Sequence, residues 1–496
     1  MEQWKKGCFI YLAAIMAVIG LPFLFMIIVD PYNISMLVTT KHINATVPDL
    51  ANQSRLVKAA AIIRTQPDTI IIGTSIVDGA FVIPGSTYHY DINRAEHHGD
   101  YTKAPFIFNA GIRGGVIEDG YEVMKHAYAN NPHLKHVIAG YEWGQFTKIR
   151  PLGNIHDTDL FGQTSVFPFG YKKYFTWIAF DDALHTLEAN NNISRDAVID
   201  ALKNPYKFIK SLSVASDAHA EDASRFTPIK GDNLSEYIIT AKNDQILSHN
   251  IYFAYWSVAC FSQIARRDGE AGLDEQETLE TLRKMVEFAH ENHITFTLYL
   301  SPQPPLVWAM VKQAGLMPYY EQWLRNVAQI TPFYDYSRLP QLINDDAHTY
   351  FWYDTVHFLP ALGEQILPPL LRDTDSQHSP YYITKDTVDA DIAARKNELD
   401  TWLQTHQYLS EIIKLLDFKS DGHDDLPLIL PTAYNPVFHG FRLIRHLADQ
   451  FIGVPATNEP YDFQSVINHD YRPMFTGKSL DDVARQIQNA EPNRSK

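Results

Sequence analysis

The stretch "DTIIIGTSIVDGAF", residues 68–81, decides how the chain is read. Thr69–Gly73 is brief, apolar, rich in β-branched residues and closed by a glycine, the pattern of a buried strand. Ser75 stands just past the break, at the start of a run that can turn helical. From these residues alone Ser75 is either a nucleophile or a helix cap, because a serine at a strand-to-helix turn serves both uses.

Working outward, the same alternation continues from 67 to 372. Further strands are expected at Phe106–Ala110, His136–Gly140, Ile294–Leu300 and Pro332–Tyr336, each closed by Gly, Pro or Ser, with helices between them at 116–129 and 276–292. Strands separated by amphipathic helices pair in parallel, so the fold class is α/β, a three-layer sandwich around a mostly parallel sheet. In such sheets the site lies beyond the carboxyl ends of the strands, where Gly73, Thr74 and Ser75 fall. Residues 144–275 interrupt the alternation, aromatic early ("VFPFGYKKYFTWIAF") and polar later, and read as a helical insertion over the active face. The aromatic residues of 167–179 suit core packing better than a sugar cleft. After 372 a helical extension is expected over 373–496, with one long amphipathic helix at 386–416 and a second at 437–452.

The N-terminus sets the location. Lys5 and Lys6 precede a charge-free run from Gly7 to Val29, 23 residues by position. At about 1.5 Å per residue this run can cross a hydrocarbon core roughly 30 Å thick, and no small-x-small cleavage site precedes "VDPYN". Residues 7–29 therefore read as an uncleaved transmembrane signal anchor and 30–66 as a juxtamembrane segment. The lysines keep the N-terminus in the cytoplasm and place the bulk of the chain outside it, in the periplasm or at the cell exterior. A formal charge of −16 argues against nucleic acid as a partner, since that binding depends on lysines and arginines displacing counterions. Two distant cysteines, Cys8 and Cys260, exclude a disulfide framework or a cysteine metal site.

A nucleophilic serine needs a base, a group that orients the base, and donors for an oxyanion. Three stretches offer them. "YDTVHFLPALGEQIL" sets Asp354 three residues before His357, ahead of an amphipathic helix. "FIFNAGIRGGVIEDG" ends a strand at Asn109 and turns through Gly111, Arg113, Gly114 and Gly115. "HVIAGYEWGQF" carries Glu142 past a third strand end. Other groupings are weaker. His133, His136 and the pair His97–His98 lack partners at ligand spacing, and the calcium-like run 417–428 has Lys419 and Leu428 where ligands belong. Ser301 ends a strand, but Pro302 makes it a turn residue. Neither a metal nor an organic cofactor is called for.

In their order along the chain, the strand-borne Gly-x-Ser, the Asn-x-Gly-x-x-Gly turn, the third strand end and the late Asp-x-x-His resemble the SGNH/GDSL hydrolase superfamily, which has a flavodoxin-like fold. With the anchor and "VDPYN", the chain is similar to membrane-anchored extracytoplasmic members of polysaccharide systems, such as alginate O-acetyltransferases and the teichoic acid D-alanylation protein. The resemblance spans 67–372. It implies Ser75 as nucleophile, His357 as general base, Asp354 as its orienting carboxylate and Gly114 as an oxyanion donor, with Asn109 and Arg113 lining the same turn. Glu142 stands where the family has an asparagine donor; an ionised carboxylate cannot donate, whereas one kept protonated by burial can. The implied activity is that of a serine esterase or O-acyltransferase, acting with short acyl groups on a cell-surface or secreted polysaccharide. The implied partners are the acylated glycan, the inner membrane and other subunits of a polysaccharide synthesis or export machinery. The alternative is a catalytically inactive SGNH-like scaffold or glycan-binding subunit.

Overall fold

A computed structural model describes residues 20–37, 40, 42–87, 106–146, 160–167, 169–191, 254, 258, 262, 275–338, 356–372, 379–406, 410, 413–414 and the strands at 437–438, 441–446, 450–455 and 475–477. The expected alternation is present. In chain order the main elements are helix α1 (20–29), α2 (Ser54–Thr65), β1 (Thr69–Gly73), α3 (Ser75–Ala80), β2 (Ile107–Asn109), α4 (Ile117–Asn130), β3 (His136–Tyr141), α5 (Trp177–Asn191), α6 (Gln276–Glu291) and β4 (Thr295–Leu300). They continue with α7 (Pro305–Gln313), α8 (Met317–Ile330), β5 (Phe333–Asp335), α9 (Pro360–Leu371), β6 (Tyr382–Ile383) and α10 (Val388–Thr405).

Six strands form one sheet in the order β2-β1-β3-β4-β5-β6. β1 pairs in parallel with β2 and β3, β4 pairs in parallel with β5, and β6 closes the edge antiparallel to β5. β1 and β3 are buried at every residue, as strands of a covered parallel sheet must be.

The chain divides into two compact units. In the first, α1, α2 and α5 share a core built from Met26, Val29, Tyr32, Leu56, Ala60, Tyr174, Ala183 and Leu184. The "VDPYN" stretch knots the chain directly after α1. Asp30, at φ 49°, accepts from the Ile34 and Met36 amides at 2.7 and 2.6 Å, and from the hydroxyl of Tyr174. Tyr32 donates to Asp182 at 2.5 Å, and Arg64 donates to the Ile34 carbonyl at 2.8 Å. Burial, then Asp30, push the Tyr174 phenol far above its ordinary range, so it stays a donor.

In the second unit, residues beyond 372 do more than form a helical extension. β6 joins the main sheet, and α10 is fastened by a buried guanidinium: Arg395 donates to Asp335 and, at 2.9 Å, to Ser337, and lies over Trp308 at 5.1 Å. Arg338 binds Asp391 and, at 2.5 Å, Glu398 of the same helix. The helix expected at 437–452 is instead β7 (Val437–Phe438), β8 (Phe441–His446) and part of β9 (Gln450–Pro455), which join β10 (Phe475–Gly477) in a four-stranded antiparallel sheet. Among the described residues no helix is long and apolar enough to cross a membrane. Of the expected span, residues 7–19 lie outside the described residues and 20–29 are helical.

Candidate active site

In the first unit the end of β1 is built for close approach. Gly73 pairs with Gly140 of β3, and a Cβ on Gly73 would stand 2.5 Å from the Gly140 carbonyl and collide with Val77. Thr74 caps α3, its hydroxyl accepting from the Ile76 amide at 3.3 Å. That answers one half of the Ser75 question, since capping falls to its neighbour. Of the described residues from Thr69 to Phe81, all are buried except Ser75, which is half-buried.

The Asn109–Gly115 turn is stitched to this strand end. The Ala110 amide donates to Ile71 at 2.8 Å and the Ile112 amide to Gly73 at 2.9 Å. Gly111 must be glycine, because a Cβ there would lie 2.6 Å from the Asp78 amide nitrogen. Gly114 is exposed at φ 64°, and half-buried Arg113 precedes it. Asn109 has a different use from the expected one. It is fully buried, its amide donates to the carbonyls of Val77 and Phe81 at 3.0 Å each and of Asp78 at 3.3 Å, and its Oδ1 accepts from Gly111. With its amide hydrogens spent on α3, it positions the serine helix and offers nothing to an oxyanion.

Sequence reasoning missed the pair beneath that helix. Lys58 of α2 and Asp78 of α3 are both fully buried, with Nζ to Oδ1 at 2.7 Å. Nζ also donates to the carbonyls of Gly85 and, at 2.9 Å, of Asn109, so all three hydrogens are placed. Burial lowers the Lys58 pKa, with Asp78 pulling the other way. Asp78 further accepts from the Thr87 amide at 2.9 Å and from its hydroxyl. A lysine so committed is a brace and not a general base.

In the second unit Glu142 follows β3. Its Oε1 accepts from Gln145 at 2.9 Å and its Oε2 from Gln303 at 2.6 Å. Two side-chain amides thus engage both oxygens as acceptors, so the side chain does not act as the donor that the resemblance calls for at this position. Gln303, in "SPQPP" just past β4, was not singled out from the sequence, although its place after a strand end was a usable signal. Beside Glu142, Trp143 donates to buried Glu275 at 2.8 Å. His357 is half-buried, three residues before α9, whose first residue is Pro360. Asp354 lies outside the described residues. Ser301 is 2% exposed and so is not an exposed serine. His136 is spent on Thr297 at 2.8 Å, and no group of three metal-binding side chains occurs among the described residues. His97, His98 and 417–428 also lie outside them.

Ser75 and its turn thus belong to the first unit, and Glu142 and His357 to the second. Comparison with protein-family models, with curated proteins and with solved structures finds no match to this chain.

Proposed function

We propose that the chain is a membrane-anchored, extracytoplasmic serine esterase or O-acyltransferase with a three-layer SGNH-type sandwich, acting on an acylated polysaccharide through an acyl-serine. The observation that carries this reading is the partial exposure of Ser75 alone among the buried residues from Thr69 to Phe81, with capping taken over by Thr74. The bracing by Asn109 and the Lys58–Asp78 pair supports it, because a nucleophile held on rigid elements loses little to misplacement. In this mechanism Ser75 Oγ attacks the acyl carbonyl and its proton passes to His357, which Asp354 orients. The tetrahedral oxyanion, held in part by the Gly114 amide, collapses to acyl-serine, and the sugar oxygen leaves with the proton from His357. Water or a second glycan hydroxyl then repeats the sequence in reverse.

One feature favours a second reading, a non-catalytic glycan-binding or scaffolding subunit of a polysaccharide synthesis or export assembly. Glu142 occupies a position where the family resemblance calls for a donor, and losing such a donor costs about 10²–10³ in rate. The two readings separate on the full-length protein treated with a serine-directed fluorophosphonate and assayed on an acetyl ester. Catalysis predicts labelling and turnover, both lost by ~10⁴-fold or more in Ser75→Ala and in His357→Gln. Equal turnover in wild type and Ser75→Ala leaves the scaffold reading standing.

A further inference from the structure

Packing inside the core was the expectation for the aromatic residues of 167–179, and the structure meets it only in part. Tyr174 is buried, but Phe167 is 68% exposed, Phe175 63%, Trp177 77% and Ile178 59%. Among the described residues eight large apolar side chains are exposed, and Leu21 and Leu24 of α1 join these four to make six of them.

Ring contacts tie Phe167, Phe175 and Trp177 to one place in the first unit, Ile178 follows Trp177 in α5, and Leu21 and Leu24 flank Phe23 on α1. Phe23 of α1 stacks on Phe175 with centroids 4.7 Å apart and meets Tyr171 edge-on at 6.1 Å. Phe167 packs on Tyr171 at 6.0 Å, Trp177 on Phe180 at 5.5 Å, and Phe180 on Phe25 of α1 at 5.8 Å. The inner side of this layer is filled by Tyr174, Ala179, Ala183 and Leu184 against Met26 and Val29. Among the described residues, its outer side carries the exposed side chains. Soluble monomers rarely leave so many large apolar groups contiguous and open to water.

The occupant is indicated by what α1 belongs to. Residues 20–29 are the last part of the charge-free run from Gly7 to Val29, so the exposed aromatics lie beside the end of the apolar segment nearest the folded body. Their composition also fits. Trp, Tyr and Phe with interspersed lysines, here Lys172 and Lys173, are the residues that settle at the boundary between headgroups and acyl chains, the rings buried and the ammonium groups reaching the phosphates. In a chain of formal charge −16, two adjacent lysines inside the apolar patch suit an anionic lipid surface.

We propose that Phe167, Phe175, Trp177 and Ile178, with Leu21 and Leu24, form an aromatic collar that inserts into the headgroup–acyl boundary of a phospholipid bilayer around the base of the anchor. The proposal rests on the membrane-anchor reading and goes beyond it, since an anchor requires only residues 7–29.

The test uses the full-length chain in a Cys8→Ser, Cys260→Ser background, carrying an environment-sensitive fluorophore at Trp177→Cys. Phe167→Cys serves as a second site and exposed His133→Cys as a control in the same unit. The probe is a liposome of phosphatidylethanolamine and phosphatidylglycerol, with nitroxide-bearing lipids as quenchers. The expected result is a blue shift and loss of most of the emission at 177 and 167, stronger with the nitroxide near the headgroup than deep in the chain, and no change at 133. A chain that floats with the liposomes while 177 and 167 keep their aqueous emission overturns the collar and leaves the anchor in place. A chain that does not float overturns both. Shielding of both sites without lipid quenching, with a dimer on sizing, assigns the surface to a second copy and overturns the collar.

Discussion

Lys58 in the first unit and Arg395 in the second are both buried cations paired with aspartates, and they differ in how the load is shared. Lys58 spends its three hydrogens on one carboxylate and two carbonyls, and among the described residues the Asp78 carboxylate has only Thr87 besides Lys58. Around Arg395, Asp335 is also held by Ser337 and Asp391 is also held by Arg338. A point charge with few substitutes fixes one strand–helix turn, whereas a planar guanidinium within a network fastens a whole helix with redundancy. A lone buried pair thus serves where a single geometry matters, and a buried network where an element must be attached.

The largest effect expected from this contrast is on stability. Lys58→Met leaves Asp78 buried with only Thr87 and costs about 3–5 kcal/mol in chemical denaturation, and Lys58→Met combined with Asp78→Leu recovers much of it. Arg395→Met costs less, about 2–3 kcal/mol, because Ser337 and Arg338 remain. The reverse order would break the comparison.

Glu275 sharpens it, being a buried carboxylate with an indole for a partner instead of a cation. Burial pushes its pKa from 4.5 up to about 7, with the Trp143 hydrogen bond pulling down. The folded state then holds the proton more tightly than the unfolded one, so stability falls as pH rises from about 4.5 through about 7 and the full cost is present above that. Glu275→Gln keeps an acceptor for Trp143 and removes the titration. It is expected to be more stable than wild type above neutral pH, by on the order of 2–3 kcal/mol, with the difference vanishing in acid, as read from denaturation midpoints across pH.

The smallest effect separates neighbours. Thr74→Ala loses a cap and costs ~1 kcal/mol. Ser75→Ala stays within ~0.5 kcal/mol of wild type while abolishing the proposed esterase turnover. Equal destabilisation by the two would return Ser75 to a structural role.

The sequence made the parallel strands legible because each is a short apolar run closed by a breaker, and β1, β3 and β5 lie within a residue or so of their expected positions. It did not reveal β6, whose two residues acquire meaning only from their register, Phe333 opposite Ile383 and Tyr334 opposite Tyr382. At 437–452 the apolar residues satisfy a helical period as well as a strand one. Distant partners decide between them, as in Phe441 opposite Pro455 and Ile444 opposite Ile452. A usable signal was present in His439-Gly440, the two residues between the paired Phe438 and Phe441, which suit a two-residue hairpin. Lys58 was invisible for the same reason as β6, since within an otherwise apolar helix it reads as solvent-facing until Asp78 is brought to it. Ser75 was legible as a candidate, but the division of labour with Thr74 and the bracing use of Asn109 depend on hydrogen-bond directions that residue types do not carry.

Asp30 has a mechanical consequence. Its carboxylate gathers amides and hydroxyls on both sides of the chain's exit from α1, and Tyr32 and Arg64 tie the following residues to α5 and α2. A free linker at this point would let the body swivel and wander above whatever holds α1. Here the joint is tied on both sides, so a twist of α1 is passed to α2 and α5 of the same unit instead of being lost in the residues that follow it. On the proposed anchoring, a chain mounted in this way is a bracket rather than a tether, and its reach is set by the length of the polysaccharide it is proposed to act on.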